Sequence, residues 1–180
     1  GQWLRALSLL RELSELTLEL DAVPCSAAIS ACGKGGQWQQ ASALLGEMND
    51  ASFEVDLITS SAVISACEKA GQWQRALSLL GELREGKSEL DIVSYSATIS
   101  ACEKGGQWLR ALSLLRELWE ANLEPNVMTY NAAISAQEKG GQWQWALTLL
   151  VELVDATLEP SVVSCSAGIS ACEKGEQWQR

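Results

Sequence analysis

The sequence predicts an all-α chain, a solenoid of stacked helix–turn–helix units. Three observations carry that expectation. Trp3, Trp38, Trp73, Trp108, Trp143 and Trp178 recur at a fixed spacing of 35 residues, and a period of that length marks one supersecondary unit copied and stacked. The same words surround each tryptophan: Ala-Cys-Glu-Lys-Gly-Gly-Gln-Trp at 101–108 returns as Ala-Gln-Glu-Lys-Gly-Gly-Gln-Trp at 136–143. Each period holds two segments long enough for helices, parted by a Gly-rich turn. The chain divides into the second half of a truncated repeat at 1–21, full repeats at 22–56, 57–91, 92–126 and 127–161, and the first half of another at 162–180. No atypical polar cap closes either end, so the chain reads as a window cut from a longer array.

The back half of each unit, opened by its tryptophan, is the clearer helix. In 22–56, Trp38, Ala41, Leu45 and Met48 fall at helical spacing and Leu44 widens the stripe. Trp108–Leu118 is rich in Leu, Ala and Arg, all good helix formers. Gly-Gly before the tryptophan should break the preceding element, and Pro125 and Pro160 should prevent continuation at the far end of two copies. The front half is ambiguous in period. Cys165, Ala167, Ile169 and Ala171 alternate as on a strand, whereas Tyr95, Thr98, Ile99 and Cys102, or Tyr130, Ala133, Ile134 and Gln137, form a helical stripe. Segment length, richness in alanine and Pro24 near a start, where its missing N–H costs nothing, favour helix. A strand-plus-helix solenoid is the alternative.

Composition fits a soluble protein: 47% hydrophobic and 20% charged, with no apolar run long enough to cross a bilayer. The net charge of −10 argues against a nucleic-acid partner, which usually demands a basic surface. Its distribution weakens the objection, because the front halves together hold five lysines and five glutamates and the rest of the chain supplies the whole deficit. No histidine is present, which removes most metal-dependent and general-base chemistry. The cysteines suggest a metal site without its spacing. Cys32, Cys67, Cys102 and Cys172 share one place in the repeat, Gln137 takes it in another copy, and Cys25 and Cys165 lie seven residues earlier on the same stripe. Seven helical residues rise about 10.5 Å, beyond disulfide reach, so all six read as buried small hydrophobes in a reducing compartment. No carboxylate pair, phosphate loop or nucleophile motif stands out; no catalysis, cofactor or metal is expected. The register tryptophans could form an exposed row on which bases stack. Each opens an apolar stripe, however, and burying an indole withdraws about 150–250 Å² from water, worth at most roughly 4–6 kcal/mol. Core is the favoured reading, and Trp119 and Trp145, outside the register, receive no role.

Within this constant frame a few polar positions vary. Asp21 precedes Val23 and Ser26; Asp56 precedes Ile58 and Ser61; Asp91 precedes Val93 and Ser96. Asn126 precedes Met128 and Asn131, and Ser161 precedes Val163 and Ser166. A polar, an apolar and a small hydrogen-bonding side chain thus converge on the first turn of every front helix. Together with the period, the stretch Val127-Met-Thr-Tyr-Asn-Ala-Ala-Ile-Ser-Ala136, the Glu-Lys-Gly-Gly turn and the closing Leu-Glu-Pro, these residues resemble pentatricopeptide repeats over the entire chain. The Gly-Gln-Trp version of the turn departs from that family's frame. Related tetratricopeptide repeats, with a period of about 34 residues, would slip out of register along these tryptophans.

The resemblance implies a right-handed α-solenoid that binds single-stranded RNA, one base per repeat, 5′ to 3′ from the N-terminus. Carried over, Ser26 would act with Asp56, Ser61 with Asp91, Ser96 with Asn126 and Asn131 with Ser161, and Ser166 would open a further pair. Hydrogen bonding to the Watson–Crick edge of an unpaired base is the physical means. In the family small hydroxyls favour purines and asparagine favours pyrimidines, while a terminal aspartate goes with G or U and asparagine with A or C. The implied site is 5′-GGA, then C or U, then a purine. Val23, Ile58, Val93, Met128 and Val163 match apolar residues that sandwich bases. Lys34, Lys69, Lys104, Lys139 and Lys174 match a lysine that meets phosphates. Capping competes with both roles: lysines suit a helix C-terminus, and Ser, Asp and Asn suit an N-terminus. The resemblance further implies a role in organellar RNA processing, stability, editing or translation, in chloroplast or mitochondrion. Protein partners fit this role; a membrane or a small-molecule substrate does not. The alternative is a protein-interaction scaffold engaging a basic protein through its acidic surface.

Overall fold

The computed structural model describes residues 2–15, 22–53, 55–86 and 90–175; Asp21 and Trp178 lie outside the described residues. Among these the chain is helical throughout, with no strand: α1 (Gln2–Glu15), α2 (Ala22–Lys34), α3 (Trp38–Asp50), α4 (Leu57–Lys69), α5 (Trp73–Glu85), α6 (Ile92–Lys104), α7 (Trp108–Glu120), α8 (Val127–Lys139), α9 (Trp143–Asp155) and α10 (Val162–Lys174). Each front half is therefore a helix, and the strand alternative falls. Two compact units, Gly1–Leu90 and Asp91–Arg180, divide the chain. In the first, α2 packs on α4, with α3 against both, α1 against α2 and α5 against α4. In the second, α6 packs on α8 and α8 on α10, with α7 against α6 and α8, and α9 against α8 and α10. Front helices thus stack directly on front helices.

The apolar stripes supply the core. Ala41, Leu44, Leu45 and Met48 of α3 and Ala111, Leu114, Leu115 and Leu118 of α7 are buried, as are Ile29, Ile64, Ile99 and Ile134 of the front helices. Losing one such side chain to alanine typically costs ~2–5 kcal/mol. Cys25, Cys32, Cys67, Cys102 and Cys172 are buried free thiols. Burial pushes Cys67 and Cys102 up to about 11, so neither is a nucleophile. Cys165 departs from expectation and is exposed. Its equivalent Tyr130 is buried, on a helix packed against both α7 and α9. Gln137, standing where other repeats have cysteine, is fully buried and donates to the Trp108 carbonyl at 3.0 Å.

The turns assign separate work to the two glycines. Gly36, Gly106 and Gly141, each the second of a pair, and Gly71, which follows Ala70, hold φ of 66–68°, the left-handed region only glycine enters without strain. That conformation closes each front helix, as where Gln107 N–H reaches Cys102 O at 2.8 Å and Gly106 N–H reaches Glu103 O at 3.2 Å. The first glycine instead seats the preceding repeat's indole: a Cβ on Gly140 would lie 2.5 Å from Cδ1 of Trp108, and one on Gly35 would lie 2.7 Å from Cδ1 of Trp3. The register tryptophans Trp3, Trp38, Trp73, Trp108 and Trp143 are accordingly half-buried, not core as the stripe suggested. An indole that opens a helix lies at the margin of the stack, where only the facing turn covers it.

The back helices also end otherwise than expected. α7 and α9 stop at Glu120 and Asp155, well ahead of Pro125 and Pro160. Ser52, Asn122 and Thr157 adopt φ of 55–59° there, and Leu123 N–H bonds Leu118 O while Asn122 N–H bonds Trp119 O. This is the bond pair of a left-handed helix stop, made in these copies by residues with a Cβ.

Candidate nucleic-acid interface

The front helices begin with a capping residue in extended conformation. Asp56, Asp91, Asn126 and Ser161 accept from the backbone N–H of Thr59, Ser94, Thr129 and Ser164 at 2.8, 2.9, 3.0 and 3.1 Å. The capping role weighed against base recognition is therefore real. It occupies only one atom of the longer side chains. Asp56 caps through Oδ1, as does Asn126, and neither the second oxygen of Asp56 nor the amide nitrogen of Asn126 bonds any described residue. Both residues are exposed.

The same caps draw the sequence-paired positions together. Thr59 Oγ1 donates to Ser26 Oγ at 2.9 Å, so Ser26 stands one hydroxyl away from the residue that Asp56 caps. Thr129 Oγ1 donates to Asn126 Oδ1 at 3.0 Å and lies 2.6 Å from Ser96 Oγ. A threonine has one hydroxyl proton; Ser96 must therefore donate the short bond, and it keeps lone pairs for anything that approaches. Asn131 Oδ1 accepts directly from Ser161 Oγ at 3.1 Å, while Ser161 N–H donates to Ser164 Oγ at 2.7 Å in a capping box. One pair, 131 with 161, is thus bonded directly, and two, 26 with 56 and 96 with 126, are linked through a shared threonine. Ser61, buried in the first unit, and Asp91, the cap of α6 in the second, are described each in its own unit. Ser166 is exposed on α10.

The bridging hydroxyls escaped the sequence reading. Thr59, Ser94, Thr129 and Ser164 are the third residues of their helices and are 0–2% exposed. Their signal was present, a hydroxyl returning at the same place in four successive repeats, but small polar residues near helix starts are common enough to be passed over.

The second residue of each of these front helices is an exposed apolar side chain: Val23, Ile58, Val93, Met128 and Val163 are 54–76% exposed. All five hold the same register position in the repeat.

Three of the lysines bond within the protein. Lys69 Nζ donates to the carbonyls of Gly33 and Lys34 at 2.9 and 3.0 Å, the end of the preceding front helix. Lys139 pairs with Glu103 and Lys174 with Glu138, again one repeat back. Glu138 also accepts from Ser170, and its carboxyl is held below the usual range chiefly by the Lys174 bond, against the opposing effect of burial. Gly33 occupies the place of these glutamates in its copy, which explains why Lys69 turns to carbonyls. Lys69, Lys139 and Lys174 therefore each tie one front helix to the preceding one. Lys34 and Lys104 are exposed at the same register position.

A family profile described as a pentatricopeptide repeat domain matches residues 43–106 and 113–175, and one described as a PPR repeat matches 23–53 and 93–123. The chain is similar to the crystal structure of the pentatricopeptide repeat protein PPR10 from maize, at 26% identity and a TM-score of 0.75, over 98% of this chain and 25% of that one. It is similar also to PPR10 in complex with an 18-nt psaJ RNA element, at 29% identity and 0.78, over 97% and 26%. The PPR domain of Arabidopsis thaliana protein-only RNase P 1, in complex with tRNA, shares the fold at 12% identity and 0.73, over 84% and 83%. The chain spans about a quarter of the PPR10 chains. Comparison with curated proteins gives no match. Ten helices among the described residues, with these likenesses, make the chain an all-α repeat solenoid.

Proposed function

The chain belongs to the pentatricopeptide repeat family, and from that premise we propose that it binds single-stranded RNA selectively, one base per repeat, without catalysis of its own. The observation that carries the reading is the junction of side chains at the starts of α4, α8 and α10: a cap, a serine or asparagine of the preceding front helix bonded to it directly or through a threonine, and an exposed apolar group alongside. The cap's second polar atom is where aspartate and asparagine differ. An aspartate oxygen accepts, matching the ring N–H of G or U; an asparagine amide donates, matching the bare ring nitrogen of A or C. Ser26 with Asp56 and Ser61 with Asp91 then read G, Ser96 with Asn126 reads A, and Asn131 with Ser161 reads a pyrimidine, with a purine at Ser166. Val23, Ile58, Val93, Met128 and Val163 flank the bases.

Phosphate contact by Lys34, Lys69, Lys104, Lys139 and Lys174 is the weaker part of the proposal. Lys69, Lys139 and Lys174 would have to leave intramolecular partners to reach a phosphate. Base contacts then dominate, and the salt dependence should fall short of the slope that about five phosphate contacts would give. Family membership supports an organellar setting, in RNA processing, stability, editing or translation. Titration with an oligomer containing 5′-GGAC and with its scrambled counterpart, at low and moderate salt, tests the reading. Tighter binding of the first at both salts is expected; equal affinities would remove the code, and no binding even at low salt would remove RNA as the partner.

A further inference from the structure

Trp119 and Trp145 break the repeat frame, and they break it at one place. The positions equivalent to Trp145 hold Arg5, Gln40, Arg75 and Arg110; those equivalent to Trp119 include Asn49, Arg84 and Val154. Both indoles are exposed, 46% and 40%, although a large aromatic left in water is a liability that folding alone does not select. They come from different back helices, α7 and α9, yet line a single cavity of about 460 Å³ within the second unit. Tyr130, Arg116, Glu152 and Asp155 complete its character. The cavity is of ligand-site size, and its two carboxylates outnumber its one guanidinium.

We propose that this cleft holds the arginine side chain of a basic protein segment. A flat guanidinium stacks on indole faces and donates in a fork that carboxylates accept, so two tryptophans beside Glu152 and Asp155 suit it better than a compact ammonium. Charge agrees: the back halves and the connections that follow them carry the whole acidic excess of the chain, which attracts a basic segment and repels phosphate. Replacing frame arginines by tryptophan removes competing cations from the wall. Tyr130, itself buried, lines the floor of the cleft with both indoles. Apart from Tyr130 of α8, the lining comes from the back helices α7 and α9 and the residue after α9, and it includes none of the side chains proposed to read bases, so the inference does not rest on RNA binding.

Indole N–H resonances of this eight-tryptophan chain, assigned by substitution, test the assignment directly. A capped Gly-Arg-Gly-Arg-Gly peptide should shift the Trp119 and Trp145 signals and leave the register tryptophans still. Trp119→Arg with Trp145→Arg, which restores residues the frame already tolerates, should keep the helical spectrum and weaken the peptide about tenfold or more, the loss expected for removing a desolvated cation–aromatic contact. The matching lysine peptide should bind more weakly than the arginine one. Shifts at neither indole, undiminished binding by the double variant, equal binding of the lysine peptide, or displacement by a single-stranded RNA oligomer would each overturn it.

Discussion

Changing Asn126 to aspartate separates a base reader from a helix cap. Asn126 accepts from Thr129 N–H and Thr129 Oγ1, both at 3.0 Å and both on Oδ1. Aspartate can accept the same two bonds and caps equally well, and its charge at the start of α8 adds about 0.3–1 kcal/mol of favourable dipole interaction. Thermal stability should therefore hold or rise slightly. The change falls on the exposed atom, where an amide donor becomes an acceptor. Facing adenine, two acceptors then oppose each other; facing guanine, a charge-assisted bond forms. A lost bond with an unsatisfied partner costs about 1–3 kcal/mol, and in this partly solvated place the lower half of that range applies on each side. The ratio of affinities for 5′-GGAC over 5′-GGGC should shift by about 2 kcal/mol towards G, roughly 30-fold. Fluorescence anisotropy at fixed salt measures that ratio, and using a ratio cancels the general loss from the added negative charge. An unchanged ratio in a variant of unchanged melting temperature would refute the reasoning, because Asn126 would then be a cap and nothing more.

Three further outcomes follow from the packing. Gly140→Ala should destabilise by about 1–3 kcal/mol, as overpacking does, because its Cβ would meet the Trp108 ring at 2.5 Å; pairing it with Trp108→Ala should cancel much of that loss, and additive losses in chemical denaturation would contradict the seat. Thr157→Gly should raise stability by about 1 kcal/mol, since a β-branched residue at φ 59° is strained where glycine is not; an unchanged denaturation midpoint would count against strain there. Glu138 has a lowered folded pKa, so the stability it supplies is present above its ordinary value of 4.5 and is lost as pH falls through the depressed one. Melting curves of the native chain and Glu138→Gln should therefore be separated at neutral pH and converge in acid, and a pH-independent gap would deny the Lys174 pairing.

The period and the back helices were legible because each repeats in register and each repetition is independent evidence, whereas the front helices needed segment length and composition to decide them. The caps were legible because hydrogen-bonding residues at a helix start have few geometric options, but the pairing of positions came from the family resemblance. What escaped was contact between repeats. Nothing local to Thr129 shows that its hydroxyl reaches Ser96, and nothing local to Lys174 shows that it reaches Glu138 and not a phosphate. The tryptophans were misjudged for the same cause, since the stripe on a helix wheel ignores that Trp108 stands at the helix's first position, over the glycine of the next turn. Cys165 shows the limit of periodic reasoning. Tyr130 and Cys165 hold the identical place in the repeat, yet the first is buried and the second exposed.

The most direct test of the account is the side-chain amide spectrum of the chain with and without RNA. Asn126 offers an amide nitrogen that no described residue engages. Addition of a 5′-GGAC oligomer should move the Asn126 and Asn131 amide signals, with the Asn126 protons shifting as a bond to adenine forms, and substitution of G at the third base should diminish that shift. Saturable binding that leaves both amides unmoved would contradict the claim that these positions face the bases.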